Sequence, residues 1–271
     1  MADFPLVGNR ILVESFGFDL ATSSGTVLTS ASGGLTAWTE LLSSSSADAD
    51  MIDIFIMKGA SNNFGIFRLD VGIGAPGSEV VILDRVLLSG KPGAAASSYQ
   101  LALPFSVPKG SRLSFRFDAS ASGRELILAG ALYTGQFKSQ QPLCESIAYG
   151  FNGIDGVDVD PGGVANTKGA WFEIDAAISN SINGFYACFG DSSNSAQTTA
   201  NFLVDIAVGA PGSEVLIAEN VPTRATTQEL MRGPVFVDSL IAEGDRVSAR
   251  AQCTITDASD RLLSISITGF R

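Results

Sequence analysis

The chain has 271 residues, 45% of them apolar, enough to fill one large core or two of ordinary size, which excludes general disorder. Its 17 basic against 28 acidic residues leave a net charge of −11, which argues against nucleic acid and anionic membrane surfaces as partners, because both are held mainly by clustered Lys and Arg. Histidine is absent, so the side chain that titrates near neutrality and the commonest transition-metal ligand is missing, and no apolar run approaches the ~20 residues that span a bilayer.

Taken in chain order, residues 1–13 read as an N-terminal arm without the basic and long apolar regions of a signal peptide, so synthesis in a cytoplasm is expected. Phe4, Leu6 and Val7 give this arm an apolar edge for assembly, to dock either on its own sandwich or on a neighbour. A first unit follows over 14–137. In it Ile52, Ile54 and Ile56 alternate with Asp53, Phe55 and Met57; Leu69, Val71 and Ile73 alternate with Arg68, Asp70 and Gly72; Leu113, Phe115 and Phe117 alternate with Arg112, Ser114 and Arg116. A period of two puts alternate side chains on opposite faces of a strand, so each run has a face for a core. Residues 138–144 form a polar linker, and a second unit occupies 145–271.

The second unit repeats the first. The heptapeptide GAPGSEV stands at 74–80 and again at 209–215, Ala37-Trp38-Thr39-Glu40-Leu41 answers to Ala170-Trp171-Phe172-Glu173-Ile174, and Lys109–Arg116 answers to Glu243–Arg250. The entry Glu14-Ser15 is matched with Glu145-Ser146. Short alternating runs punctuated by Gly, Ser, Asn and Pro, with no sustained helical period, predict an all-β protein: two tandem antiparallel β-sandwich, jelly-roll-like domains related by internal duplication. Ala75-Pro76-Gly77-Ser78 and its copy Ala210-Pro211-Gly212-Ser213 carry Pro and Gly where a type II turn needs φ near −65° and positive φ, so the heptapeptide reads as a hairpin connection, with Glu79 and Glu214 orienting the loop by hydrogen bonds to backbone. It lacks the Gly-Lys-Ser/Thr ending of a phosphate loop.

Candidate chemistry is sparse. No histidine can serve a serine triad, and Ser106-Val107-Pro108-Lys109 is interrupted by proline. No catalytic set assembles from the sequence, so the protein is expected not to be an enzyme and to need no cofactor. Asp155, Asp158 and Asp160 in a glycine-rich stretch offer the hard oxygen ligands of Ca²⁺, but their spacing departs from the Asp-x-Asp-x-Asp-Gly loop, so a solvated acidic turn is the preferred reading and no metal is expected. Trp38 and Trp171 are candidate binding residues, able to stack on a sugar ring or a neighbouring subunit, or else to close the end of a sandwich. Arg112, Arg116, Arg246 and Arg250 lie on the polar strand face, where pairing with nearby carboxylates is expected. Cys144, Cys188 and Cys253 are odd in number and widely spaced, and read as buried, reduced thiols.

The series Asn166–Ile174, Leu203–Glu214 and Gly244–Val247, repeated in the first unit from Gly33-Gly34-Leu35-Thr36-Ala37-Trp38 onward, resembles the β-sandwich modules of virion proteins in tailed bacteriophages and related gene-transfer particles. That resemblance implies a non-enzymatic structural component of the virion: a head, neck or tail fibre or a capsid-decorating protein, homo-oligomeric, in contact with capsid, neck or tail proteins. A glycan-binding adhesin that attaches the particle to a host surface is the alternative.

Overall fold

The computed structural model describes residues 11–19, 21, 24–30, 34–58, 66–89, 98–119, 122–134, 145–191, 200–225, 234–256 and 261–271. Phe4, Leu6, Val7, the linker and Cys144 lie outside them. The first unit runs through β1 (Ile11–Phe16), β2 (Phe18–Asp19), β3 (Ser24–Thr29), β4 (Thr39–Leu42), β5 (Met51–Lys58), β6 (Ile66–Ile73), β7 (Val80–Ser89), β8 (Ser98–Leu103), β9 (Leu113–Ala119) and β10 (Glu125–Thr134). The second repeats the series as β11 (Ser146–Tyr149), β12 (Phe151–Asn152), β13 (Asp155–Val159), β14 (Phe172–Asp175), β15 (Gly184–Asp191), β16 (Ala200–Val208), β17 (Val215–Ala225), β18 (Val235–Val237), β19 (Val247–Cys253) and β20 (Leu263–Phe270). No helix occurs among the described residues.

Pairing is antiparallel and nested: β3 with β10, β4 with β9, β5 with β8, and β6 with β7. The first unit is thus one long hairpin, rolled so that β3-β10-β5-β8 form one sheet and β4-β9-β6-β7 the other, while β1 and β2 widen the first. The second unit has the same order, β13-β20-β15-β18 over β14-β19-β16-β17. Each unit is therefore a jelly-roll sandwich, and the predicted inward faces are inward. Ile52, Ile54, Ile56, Leu69, Val71, Phe115 and Phe117 are inaccessible to solvent, each worth about 1.5–3 kcal/mol relative to exposure.

Two sequence expectations shift. β1 begins at Ile11, opposite Thr134, so residues 11–13 belong to the sheet rather than to the arm. The entries also align two residues further on than Glu14-Ser15 against Glu145-Ser146. Gly17 and Gly150 turn the corner after β1 and β11 at φ 71° and 76°, a conformation that favours glycine, so Ser15 answers to Ala148 and Phe18 to Phe151. The duplicated cores also divide their volume differently. In the first, Ile54 stands opposite Gly130, where an added Cβ would come 2.3 Å from the Phe16 ring; in the second, Ala187 stands opposite Ile267. A large residue on one strand is offset by a small one on its partner, as close packing demands.

The interiors are not wholly separate. Two apolar clusters exist, but the first continues into Tyr186, Cys188 and Phe270 of the second unit. The reason is geometric: the sheets of unit 1 end in β7 and β8, which leaves the flank between them open, and the outer face of the β11-β20-β15 sheet closes it. Leu87 packs against Gly190, Phe105 meets Phe270 with ring centroids 5.7 Å apart, and the Tyr186 hydroxyl donates to the Ala102 carbonyl at 2.7 Å. Polar contacts frame this patch. The Asp84 N–H donates to Ser146 Oγ at 2.6 Å, the Ala148 N–H donates to Asp84 Oδ2 at 3.2 Å, and Arg68 donates to the Gly153 carbonyl and to Asp118.

Candidate functional site

The repeated residues converge on the outer face of each four-stranded sheet. Both heptapeptides form the expected turn: the Ser78 N–H donates to the Ala75 carbonyl at 2.9 Å with Gly77 at φ 80°, and the Ser213 N–H donates to Ala210 at 2.9 Å with Gly212 at φ 81°. Glu79 Oε2 accepts the Gly77 N–H at 2.9 Å and Glu214 Oε2 accepts that of Gly212 at 3.0 Å, as the sequence suggested. Arg112 then ties the three repeated blocks together, reaching Glu40 at 2.6 Å, Glu79 at 2.9 Å and the Gly74 carbonyl at 3.1 Å. Arg246 does the same with Glu173 at 2.9 Å, Glu214 at 3.4 Å and Gly209 at 3.1 Å. Burial alone would raise the Glu79 and Glu214 carboxyls, but backbone N–H groups and the adjacent guanidinium outweigh it and hold both below the usual carboxylate range.

One turn of the pleat away lies a second constellation. Arg116 Nε is 2.8 Å from Asp70 Oδ2 and its guanidinium lies 4.3 Å from the Trp38 ring centre; Arg250 is 2.9 Å from Asp205 and 4.5 Å from Trp171. Both tryptophans are half-buried, each with an arginine over its ring. Both aspartates are 1% exposed, and each takes a further N–H at 2.9 Å, from Arg85 and Asn220 respectively. Those two residues have φ of 48° and 53° beside bulges in the β6–β7 and β16–β17 ladders, which turn a backbone donor off the ladder and toward the carboxylate.

The copies differ in one cation. Lys168 Nζ lies 2.6 Å from Asp205 Oδ1, whereas Leu35 holds the corresponding place in unit 1, as shown by the matching bonds from the Thr36 N–H to Phe117 and the Gly169 N–H to Ala251. Burial therefore wins at Asp70 and raises its carboxyl above the ordinary value despite Arg85 and Arg116, while at Asp205 it is outweighed by Lys168, the Asn220 N–H and Arg250, and the carboxyl is lowered. Leu35→Lys is expected to bring the Asp70 carboxyl below its ordinary value and to raise stability at neutral pH by about 1–2 kcal/mol. Carboxyl titration by NMR together with urea unfolding checks this; an Asp70 pKa that stays raised would reject the role given to Lys168.

The three acids weighed for Ca²⁺ do not share a loop. β13 holds Asp155 and Asp158, three residues apart, on opposite faces, while Asp160 Oδ1 accepts the Gly162 N–H at 2.7 Å just beyond the strand. Among the described residues no cluster of three His, Cys, Asp or Glu side chains is placed to hold a metal. Cys188 and Cys253 are buried free thiols, and burial pushes Cys188 up to about 12. A groove of about 420 Å³, open to solvent, runs between the β1–β2 corner and β4, lined by Phe16, Gly17, Phe18, Glu40 and Leu41.

The stacking of arginine on each tryptophan and the donor-turning bulges were missed from the sequence. The first had a signal, since Trp38 and Arg116 recur together as Trp171 and Arg250. The second had half a signal, because asparagine at 220 favours positive φ whereas arginine at 85 does not.

No protein-family model and no curated protein matches the sequence. Among solved structures, the chain is similar to PNGF-II at 7% identity and TM-score 0.40, covering 96% of this chain and 65% of that one, so it spans just under two thirds of that protein. The tandem CBM22-1–CBM22-2 domains of Xyn10C from Paenibacillus barcinonensis align over 96% of this chain and 98% of theirs, at 11% identity and TM-score 0.28. The PBSX exported protein XepA aligns over 97% and 86%, at 8% identity and TM-score 0.23. These likenesses are confined to β-rich architecture and transfer neither ligand nor activity.

Proposed function

We propose that this protein is a non-enzymatic structural component of a phage or phage-like particle, made in the bacterial host cytoplasm and incorporated into the virion as a head, neck or tail fibre or capsid-decorating part. One observation carries the reading: the polar and aromatic residues that the two units share are engaged in clamps that hold each unit's own turns and sheet, Glu40–Arg112–Glu79 with Trp38–Arg116–Asp70 and their copies. Residues preserved through a duplication for rigidity suit a building block. The jelly roll is itself a scaffold of viral capsid and lectin domains, an analogy of fold alone, and the sequence resemblance to phage virion modules points the same way. Mass spectrometry of gradient-purified particles, with antibody labelling seen by electron microscopy, tests the reading. Protein abundant in the lysate but missing from the particles would end it.

A second reading, glycan binding on the particle surface, is favoured by the open groove, which Phe18 and Glu40 rim with an exposed ring and a carboxylate. Glycan-array binding that Phe18→Ala abolishes supports it, and an array without a hit sets it aside.

A further inference from the structure

The interface between the units is heterologous: the flank of unit 1 between β7 and β8 meets the outer sheet face of unit 2, and these are different surfaces of one duplicated fold. Among the described residues, a head-to-tail contact of this kind leaves one unused half at each end of the pair, the outer face of β1-β10-β5 on unit 1 and the β17–β18 flank on unit 2. Both unused halves are apolar where their counterparts inside the chain are covered. On the flank, Leu101, Leu103, Leu83 and Leu87 of unit 1 are sealed at 0–1% exposure, whereas Val235, Val237 and Ala218 at the first three places are only half-buried and Pro222 at the fourth is exposed.

On the face, the part of unit 2 that is already covered combines the small Cys188, Ser264 and Ser266 with the ring of Phe270, all fully buried. The corresponding places in unit 1 hold Phe55, Ile127, Ala129 and Tyr133, of which Phe55, Ile127 and Tyr133 remain half-buried. Leu12 and Val27 on the same sheet are 56% and 51% exposed. Apolar side chains gathered and exposed on one face are what solvent disfavours.

We propose that copies of this chain associate head to tail, the β17–β18 flank of one chain's second unit seating on the β1-β10-β5 face of the next chain's first unit, by the same kind of contact that joins the units within a chain. The pairing reproduces the internal one in outline. Glu219 stands where Asp84 receives the Ala148 N–H, and Ser15 stands where Ala148 donates it. The hydroxyl contact of Tyr186 is not reproduced, because Asp53 holds its place, so the intermolecular contact rests on apolar packing. Such a contact closes into a ring or runs on as a filament. The inference goes beyond the particle reading and stands without it, since it concerns the purified chain in solution.

Sedimentation velocity and light scattering of the full chain, from low to high micromolar concentration, test it with two variants at exposed positions, Val27→Arg on the face and Pro222→Arg, at the place of Leu87, on the flank. The wild type is expected to grow beyond a dimer as concentration rises, and each variant alone to be monomeric with an unchanged circular-dichroism spectrum and melting temperature. Mixed in equal amounts the two variants should form a dimer and nothing larger, because the pair retains one intact flank and one intact face. A wild type that is monomeric throughout would overturn the proposal and assign the face a cover within the chain. Association indifferent to both substitutions, or lost in both variants and not restored by mixing, would overturn it as well.

Discussion

Replacing Asp205 by alanine is expected to destabilise the protein by about 3–5 kcal/mol, because it removes the carboxylate that holds Lys168, Arg250 and the Asn220 N–H in a site that is itself 1% exposed. Arg250 would also lose the anchor that keeps it over Trp171. Urea unfolding at neutral pH measures the loss, and a variant within 1 kcal/mol of wild type, a margin ordinary for surface substitutions, would show that this cluster is not a fastener. The same residue shapes the response to acid. Asp205, Glu79 and Glu214 lie below their ordinary values in the folded chain, so each contributes stability that is complete above the normal carboxylate range and is lost as pH falls through the lowered folded value. Asp70 is raised and has the opposite sign: its contribution is present at low pH and disappears as pH rises through its folded value. With three lowered groups against one raised, wild-type stability is expected to fall from about pH 4 downward, and Asp205→Asn to flatten that slope. An unchanged slope would remove Asp205 from the account.

Leu87→Ala is expected to cost about 2–5 kcal/mol, the range for a fully buried leucine, and to act at the junction between the units rather than inside either one. Leu87 reaches Gly190, and Cys188 lies beneath the same patch. In the wild type the Cys188 thiol, fully buried and shifted up to about 12, should resist a thiol reagent for as long as the units stay joined. In Leu87→Ala it should react faster, and thermal unfolding should separate toward two transitions. Equal labelling rates in the two proteins would mean that the junction is held elsewhere, by the Tyr186–Ala102 contact or the aromatic pair of Phe105 and Phe270.

The local rules proved legible where one residue type answers one physical demand. Pro76 and Gly77 specify a turn, alternation at Leu69, Val71 and Ile73 specifies an inward face, and Glu79 finds the nearby N–H of Gly77 because the turn presents it. Asp155 and Asp158 came under consideration as loop ligands because glycines flank them on both sides, but the segment between those glycines has the alternation of a strand, and a strand divides acids three residues apart. The alignment at Glu14 and Glu145, by contrast, misled. Two identical residues weigh more by eye than Gly17 and Gly150, yet the glycines occupy the corner that only their backbone turns easily.

By itself, then, the sequence determined that there are two copies of one antiparallel unit, where their hairpins bend and which strand faces are apolar, since these depend on the period of the chain and on turn chemistry within a few residues. Only the tertiary structure decided that each unit is a rolled hairpin, that Trp38 and Trp171 carry arginines, that Asp70 and Asp205 titrate in opposite directions, and that the flank of the first unit is closed by the back of the second. Those facts depend on which surfaces meet across tens to hundreds of residues. Such meetings are settled by the shape and desolvation of whole faces, which leave no local periodic mark in the chain.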